Sequence, residues 1–119
     1  MGVKRIGKRD LQKILGGNVN DAATCVIKFY SNKCHYCHEL KNIYEDAASE
    51  HEDILFFAFN IEDYPQVQKV MNFKGIPTIS LIKTGTTRPR IRLLQEPSKP
   101  NKKTWYTKSD IITFIEKEK

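Results

Sequence analysis

The sequence predicts an α/β protein, with a central mixed β-sheet flanked by helices on both faces. Three observations carry this. Thr24–Tyr30 and residues 54–61 are nearly unbroken apolar runs rich in β-branched and aromatic residues, as strands covered on both faces should be. Between and after them lie stretches whose apolar residues recur at three- and four-residue steps, the helical period. The chain then carries two more strand-like runs separated by a turn, so a hairpin-like pair joins the alternating strands and helices.

The elements follow in order. Residues 3–6 read as a short first strand, and residues 10–15 as a helix closed by Gly16-Gly17, which tolerate a left-handed helix end. Residues 18–21 are a loop. In the strand Thr24–Tyr30 a single residue breaks the apolar pattern, Lys28. From His35 the period becomes helical, and Cys37, Leu40, Ile43, Tyr44, Ala47 and Ala48 form the inward stripe, which excludes Cys34. Residues 54–61 give the second covered strand, of the parallel type. Residues 65–71 give a short helix with Val67, Val70 and Met71 inward. A third strand opens at Gly75-Ile76-Pro77-Thr78 and stops at Thr84-Gly85. Residues 90–94 alternate charged and apolar, which suits a sheet edge, where outward Arg90 and Arg92 discourage edge-to-edge association. Residues 109–117 close the chain as an amphipathic helix, with Thr107 as N-cap and Asp110 completing a capping box.

At 119 residues the chain is expected to be one domain, 1–119, with ordinary apolar and charged fractions. The first ten residues are charged and lack the apolar stretch of a signal peptide, and Ile6 stands where a myristoylation site needs Ser or Thr. The expectation is a cytoplasmic monomer with no membrane association. Three cysteines fit a reducing compartment better than a disulfide framework. Cys25 shares a strand face with Ile27 and Phe29 and reads as a small buried hydrophobe. The formal charge of +6 concentrates in residues 88–108, where seven lysines and arginines meet the single acid Glu96.

The chemistry concentrates in Cys34-His35-Tyr36-Cys37. A strand that feeds a C-x-x-C onto a helix N-terminus makes one thiol acidic and keeps its partner in reach. Cys34, at the tip, is the candidate nucleophile: unpaired N–H groups and the helix dipole favour a thiolate there, and Lys33 and His35 add positive charge. Cys37, turned inward, is the candidate resolving thiol. A zinc pair would need two more ligands, for which only His38 and His51 offer themselves, so no metal is expected. Cys34-His35-Tyr36-Cys37-His38 also spells the attachment motif of c-type haem, a remoter alternative that would need export and an axial ligand such as Met71.

The strand Thr24–Tyr30, the Cys34/Cys37 motif, Asn60-Ile61-Glu62, Pro65, Gly75-Ile76-Pro77-Thr78 and Lys83-Thr84-Gly85 stand in the order and near the spacings of thioredoxins. The chain resembles that family over nearly its whole length. The resemblance implies a thioredoxin fold, a cis bond before Pro77, and presentation of the Ile76 backbone to an extended substrate strand. It implies protein-disulfide reduction or exchange through Cys34 and Cys37, without a cofactor. The partners would be disulfide-containing proteins and a thioredoxin-reductase-like or glutathione-linked electron donor. Nucleic acid is not an expected partner.

The chain departs from the family in three places. Lys33 replaces the usual Trp before the first cysteine, and His35-Tyr36 is neither the Gly-Pro of thioredoxin nor the Gly-His of protein disulfide isomerase. Lys28 stands where the family carries the buried acid thought to exchange the proton of the resolving cysteine. A buried Lys28 has two catalytic readings: neutral, it takes the Cys37 proton; charged, it stabilises the Cys37 thiolate. The plain reading is a lysine whose head reaches water and does nothing. Tyr36 is either a substrate contact or a surface aromatic beside the site. The added positive charge points to a disulfide more oxidising than thioredoxin's about −270 mV, near the glutaredoxin range of about −200 to −230 mV. The rival function is a binding module of the same fold, its redox pair incidental, whose basic segment 88–108 docks an acidic partner or, less expectedly, nucleic acid.

Overall fold

A computed structural model describes residues 2–119. Five strands form one mixed sheet in the order β1-β3-β2-β4-β5. β1 (Val3–Arg5), β3 (Leu55–Asn60) and β2 (Thr24–Tyr30) run parallel. β4 (Thr78–Lys83) lies antiparallel to β2, and β5 (Arg90–Leu93) closes the edge antiparallel to β4. The helices are α1 (Lys8–Leu15), α2 (His35–Ser49), α3 (Val67–Met71) and α4 (Lys108–Glu118). Among the described residues no helix is long and apolar enough to cross a membrane.

The period of the strands sorts the core into two layers. Cys25, Ile27 and Phe29 of β2 pack with Leu11 and Ile14 of α1 and Val67 and Met71 of α3. Val26 faces the opposite way, toward Leu40, Tyr44 and Ala47 of α2 and Ile111 and Ile115 of α4. Lys28, two residues on, shares the α2 side with Val26, which brings a lysine beneath the helix that begins with the cysteines.

Helices α2 and α4 are fastened to each other. The buried His51 donates from Nε2 to Glu116 Oε1 at 2.7 Å and sets Nδ1 3.2 Å from the Ala47 carbonyl oxygen. Lys108 pairs with Glu50 nearby. The start of α4 is a capping box, in which the Thr107 hydroxyl accepts from the Asp110 N–H and the Asp110 carboxylate accepts from the Thr107 N–H. After α1, Gly17 takes a φ of +74° against the Thr87 backbone, a position with no room for a β-carbon.

Three expectations need correction. Helix α1 begins at Lys8, not at Asp10. Val70 is 57 % exposed rather than inward, because a five-residue helix buries only one line of side chains, and Val67 with Met71 already form it. Leu55 is 48 % exposed, since it lies one residue ahead of the point where β1 pairs with β3 and so sits at the margin of the covered face.

Candidate active site

β2 ends at Tyr30, and a three-residue loop carries the chain to Cys34. That loop is pinned: the Asn32 N–H donates to Glu62 Oε2 at 2.9 Å, and the Lys33 N–H donates to Ser31 Oγ at 3.1 Å. The pin on Asn32 depends on the turn after β3, where Asn60 Oδ1 accepts from the Glu62 N–H. Cys34 is the N-cap of α2, with its Sγ accepting from the Cys37 N–H at 3.1 Å. The first turn of α2 holds no acidic side chain, so nothing there offsets the positive end of the helix.

Cys34 and Cys37 are joined in a disulfide, with their Cα atoms 5.2 Å apart. Cys34 is half-buried, whereas Cys37 is 3 % exposed. The neighbours Lys33 and His35 stand exposed on either side of Cys34, and His38 is exposed one turn beyond it. Cys25 lies on the opposite face of the sheet among apolar side chains, where burial pushes its thiol up to about 11.

Phe29 pairs with Thr78, so the turn before β4 comes to the end of the sheet from which β2 delivers the cysteines. The Ile76–Pro77 peptide bond in that turn is cis. The Thr78 hydroxyl donates to the Gly75 carbonyl and closes the turn. A groove of about 650 Å³ runs along it, with Ile76, Pro77, Leu94 and Trp105 among its walls.

Trp105 is a site residue that sequence reasoning misses. In the sequence it stands only as an aromatic within the basic segment, yet its ring lies 5.4 Å from that of Tyr36, between the two cysteines. Its backbone takes a φ of +68°, unusual for a bulky residue. Two backbone hydrogen bonds to Asn101 hold it there, and Asn101 Oδ1 also accepts from the Lys103 and Thr104 N–H groups. No spacing signal marks such a contact, because it depends on the shape of an irregular loop.

Lys28 is 6 % exposed, with its ammonium 5.2 Å from the Tyr44 ring centre and 5.6 Å from that of Tyr30. The Tyr44 hydroxyl donates to the Phe57 carbonyl at 2.6 Å, which fixes the ring beside the lysine. Burial lowers the Lys28 ammonium to about 8; Glu45 pulls it up less strongly, and Lys41 adds to the lowering. Lys28 and Cys37 border the same pocket.

His51 already faces Glu116 and Ala47, and among the described residues no group of three or more His, Cys, Asp or Glu side chains could hold a metal ion. Met71, the axial ligand that a haem would use, is packed in the core with Val67 and Phe73. In the basic segment, Arg90 and Arg92 pair with Glu118, Lys103 with Glu39 and Lys108 with Glu50, so much of its charge is compensated within the chain.

The family model described as thioredoxin matches residues 11–115. Among solved structures, the oxidised thioredoxin from Plasmodium falciparum superposes with a TM-score of 0.69 at 17 % identity, covering 97 % of this chain and 96 % of that one. Chloroplastic thioredoxin z superposes at 0.68 with 15 % identity, over 98 % and 94 %. The J-Trx1 fragment of ERdj5 gives 0.70 at 16 % identity over 97 % of this chain, which spans about half of that fragment (49 %). At such identities these structures share the fold.

Proposed function

Since the chain belongs to the thioredoxin family, we propose that it is a thiol–disulfide oxidoreductase that reduces or exchanges protein disulfides. One observation carries the reading: a half-buried Cys34 caps α2, with a buried Cys37 close enough to bond it. In the reduced protein the Cys34 thiolate attacks a substrate disulfide, forming a mixed disulfide and releasing one substrate thiolate. Cys37 then attacks Cys34 Sγ, which closes the Cys34–Cys37 bond and releases the second substrate thiolate. Two electrons pass to the substrate. A thioredoxin-reductase-like or glutathione-linked donor returns them.

Lys28, bordering the same pocket as Cys37, supplies positive charge to the resolving thiolate, or accepts its proton when neutral. Lys33 adds charge near Cys34, His35 stands exposed on its other side, and the groove along Ile76, Pro77 and Trp105 receives an extended strand of substrate. The working form is a monomer in a reducing cytoplasm. The test is insulin reduction with dithiothreitol as donor. Wild type accelerates precipitation of the insulin chains; Cys34→Ser abolishes the acceleration, and Cys37→Ser accumulates a mixed disulfide. A Cys34→Ser variant as active as wild type would leave a binding module as the function.

A further inference from the structure

The pocket behind Cys37 holds more positive charge than its disulfide chemistry uses. It has a volume of about 450 Å³ and lies between β1, β2 and α2. Arg5, Lys28 and Lys41 enter it from these three elements, and Glu45 is its one carboxylate. A lysine as buried as Lys28 is ordinarily ion-paired or hydrogen-bonded, because an isolated ammonium loses its hydration. Among the described residues Lys28 has no hydrogen bond or ion pair; its ammonium lies over the faces of Tyr30 and Tyr44, with Glu45 drawing on it at longer range, and the nitrogen keeps contact with solvent through the pocket. The Arg5 guanidinium lies over the same Tyr30 ring, 5.9 Å from its centre, also without an ion pair. Side chains of Ser31 and Asn32 at the pocket wall offer neutral donors.

We propose that this pocket is a binding site for a small free oxyanion of the size of sulfate or phosphate, with Lys28 at its floor and Arg5 and Lys41 at its sides. Three cations converging from separate elements can surround such an anion, and the volume is at the lower end of that of small-ligand sites. Metal cations are repelled by the same charges. Nucleic acid is a poor occupant, because the aromatic faces that would stack on bases are already taken by Lys28 and Arg5. The proposal does not rest on the redox reading, since it concerns the oxidised protein and binding alone.

The experiment is a sulfate titration of the oxidised, isotope-labelled full chain followed by two-dimensional NMR, with ionic strength held constant by chloride. The expected result is a saturable one-site isotherm, with shifts concentrated at the amides of residues 5, 28–32 and 37–45. Lys28→Met should weaken binding at least tenfold and Lys41→Gln several-fold. Lys99→Met, in an exposed loop outside the pocket, should bind as wild type does. Shifts that drift without saturating, or that spread equally over surface lysines, would overturn the site. So would a Lys28→Met variant that binds as tightly as wild type. Should that variant not fold, unchanged affinity in both Arg5→Gln and Lys41→Gln gives the same negative answer.

Discussion

The ring of Trp105 lies 5.4 Å from that of Tyr36 and so ties the loop before α4 to the dipeptide between the two cysteines. Where thioredoxins place a Trp just before the first cysteine, this chain has the exposed Lys33, and a Trp distant in sequence supplies the aromatic wall instead. Trp105 also lines the groove beside Ile76 and Pro77. Trp105→Ala should therefore raise KM several-fold for a protein disulfide and leave turnover of a small synthetic disulfide nearly unchanged. Its stability cost should be about 1–2 kcal/mol, from the aromatic pair and partial burial. Equal loss on both substrates would mean that Trp105 only supports the fold.

The three thiols of the reduced protein should separate cleanly in alkylation. Cys34 is half-exposed at a helix N-terminus, Cys37 is buried behind it, and Cys25 is buried on the other face with its thiol pushed up to about 11. Brief iodoacetamide treatment at neutral pH, mapped by peptide mass spectrometry, should label Cys34 first and leave Cys25 untouched until the protein unfolds. First labelling of Cys37 would reverse the assigned roles.

The strands and the caps were legible because they rest on local signals. Thr24–Tyr30 coincides with β2, and the Thr107/Asp110 capping box begins α4 as its residues imply. The cysteines were equally plain, since C-x-x-C between a strand and a helix is short-range. What escaped was either marginal or non-local. Val70 fits a helical apolar pattern, but α3 is too short to bury it. Trp105 meets Tyr36 through a loop held by Asn101, and the Arg5, Lys28 and Lys41 pocket draws on β1, β2 and α2, which no sequence window contains together.

His51 is a buried tie between helices, not a candidate ligand. Its ring packs against Phe56 while its two nitrogens face Glu116 and Ala47. His51→Ala should cost about 1–3 kcal/mol in urea unfolding, through lost burial and a charge-assisted hydrogen bond. The hydrogen bond from His51 holds the Glu116 carboxyl below its ordinary value. That contribution is present above the unfolded carboxyl value near 4.5 and disappears as pH falls through the lowered one. Glu116→Gln should accordingly flatten the acid limb of the stability profile. An unchanged acid limb would show that the tie is not formed in solution.

Lys28 should destabilise the fold at neutral pH. Its ammonium titrates at about 8 in the folded protein against an ordinary 10.5, so between these values the unfolded chain binds more protons and stability rises with pH. Lys28→Met removes this dependence. A tenfold change in proton affinity between the folded and unfolded chain is worth about 1.4 kcal/mol, so the variant should be more stable than wild type at pH 7 by up to about 3 kcal/mol. The gap should close toward pH 10.5. Comparing the two proteins cancels the opposing ionisation of Cys25 at high pH. A gap that is the same at pH 7 and pH 10 would mean that the ammonium is hydrated through the pocket.

The same lysine should set the redox poise. Thiolate charge exists only in the reduced form, so a positive group bordering the pocket of Cys37 stabilises that form and raises the reduction potential. At pH 7, below its value of about 8, Lys28 is mostly charged. Wild type should then lie above thioredoxin's about −270 mV, and Lys28→Met should fall by roughly 30 mV for each 1.4 kcal/mol of lost stabilisation. Lys28→Asp should fall further, since it places a negative charge beside the thiolate. The wild-type excess should fade as pH rises past about 8, because a neutral amine no longer favours the thiolate. Equilibration with glutathione at pH 7 and pH 9 measures both effects. Potentials for wild type and Lys28→Met that coincide at pH 7 would show that the ammonium does not act on the sulfur, and would leave Lys33, the α2 terminus and the other cations of the pocket, Arg5 and Lys41, as the sources of positive field at the dithiol.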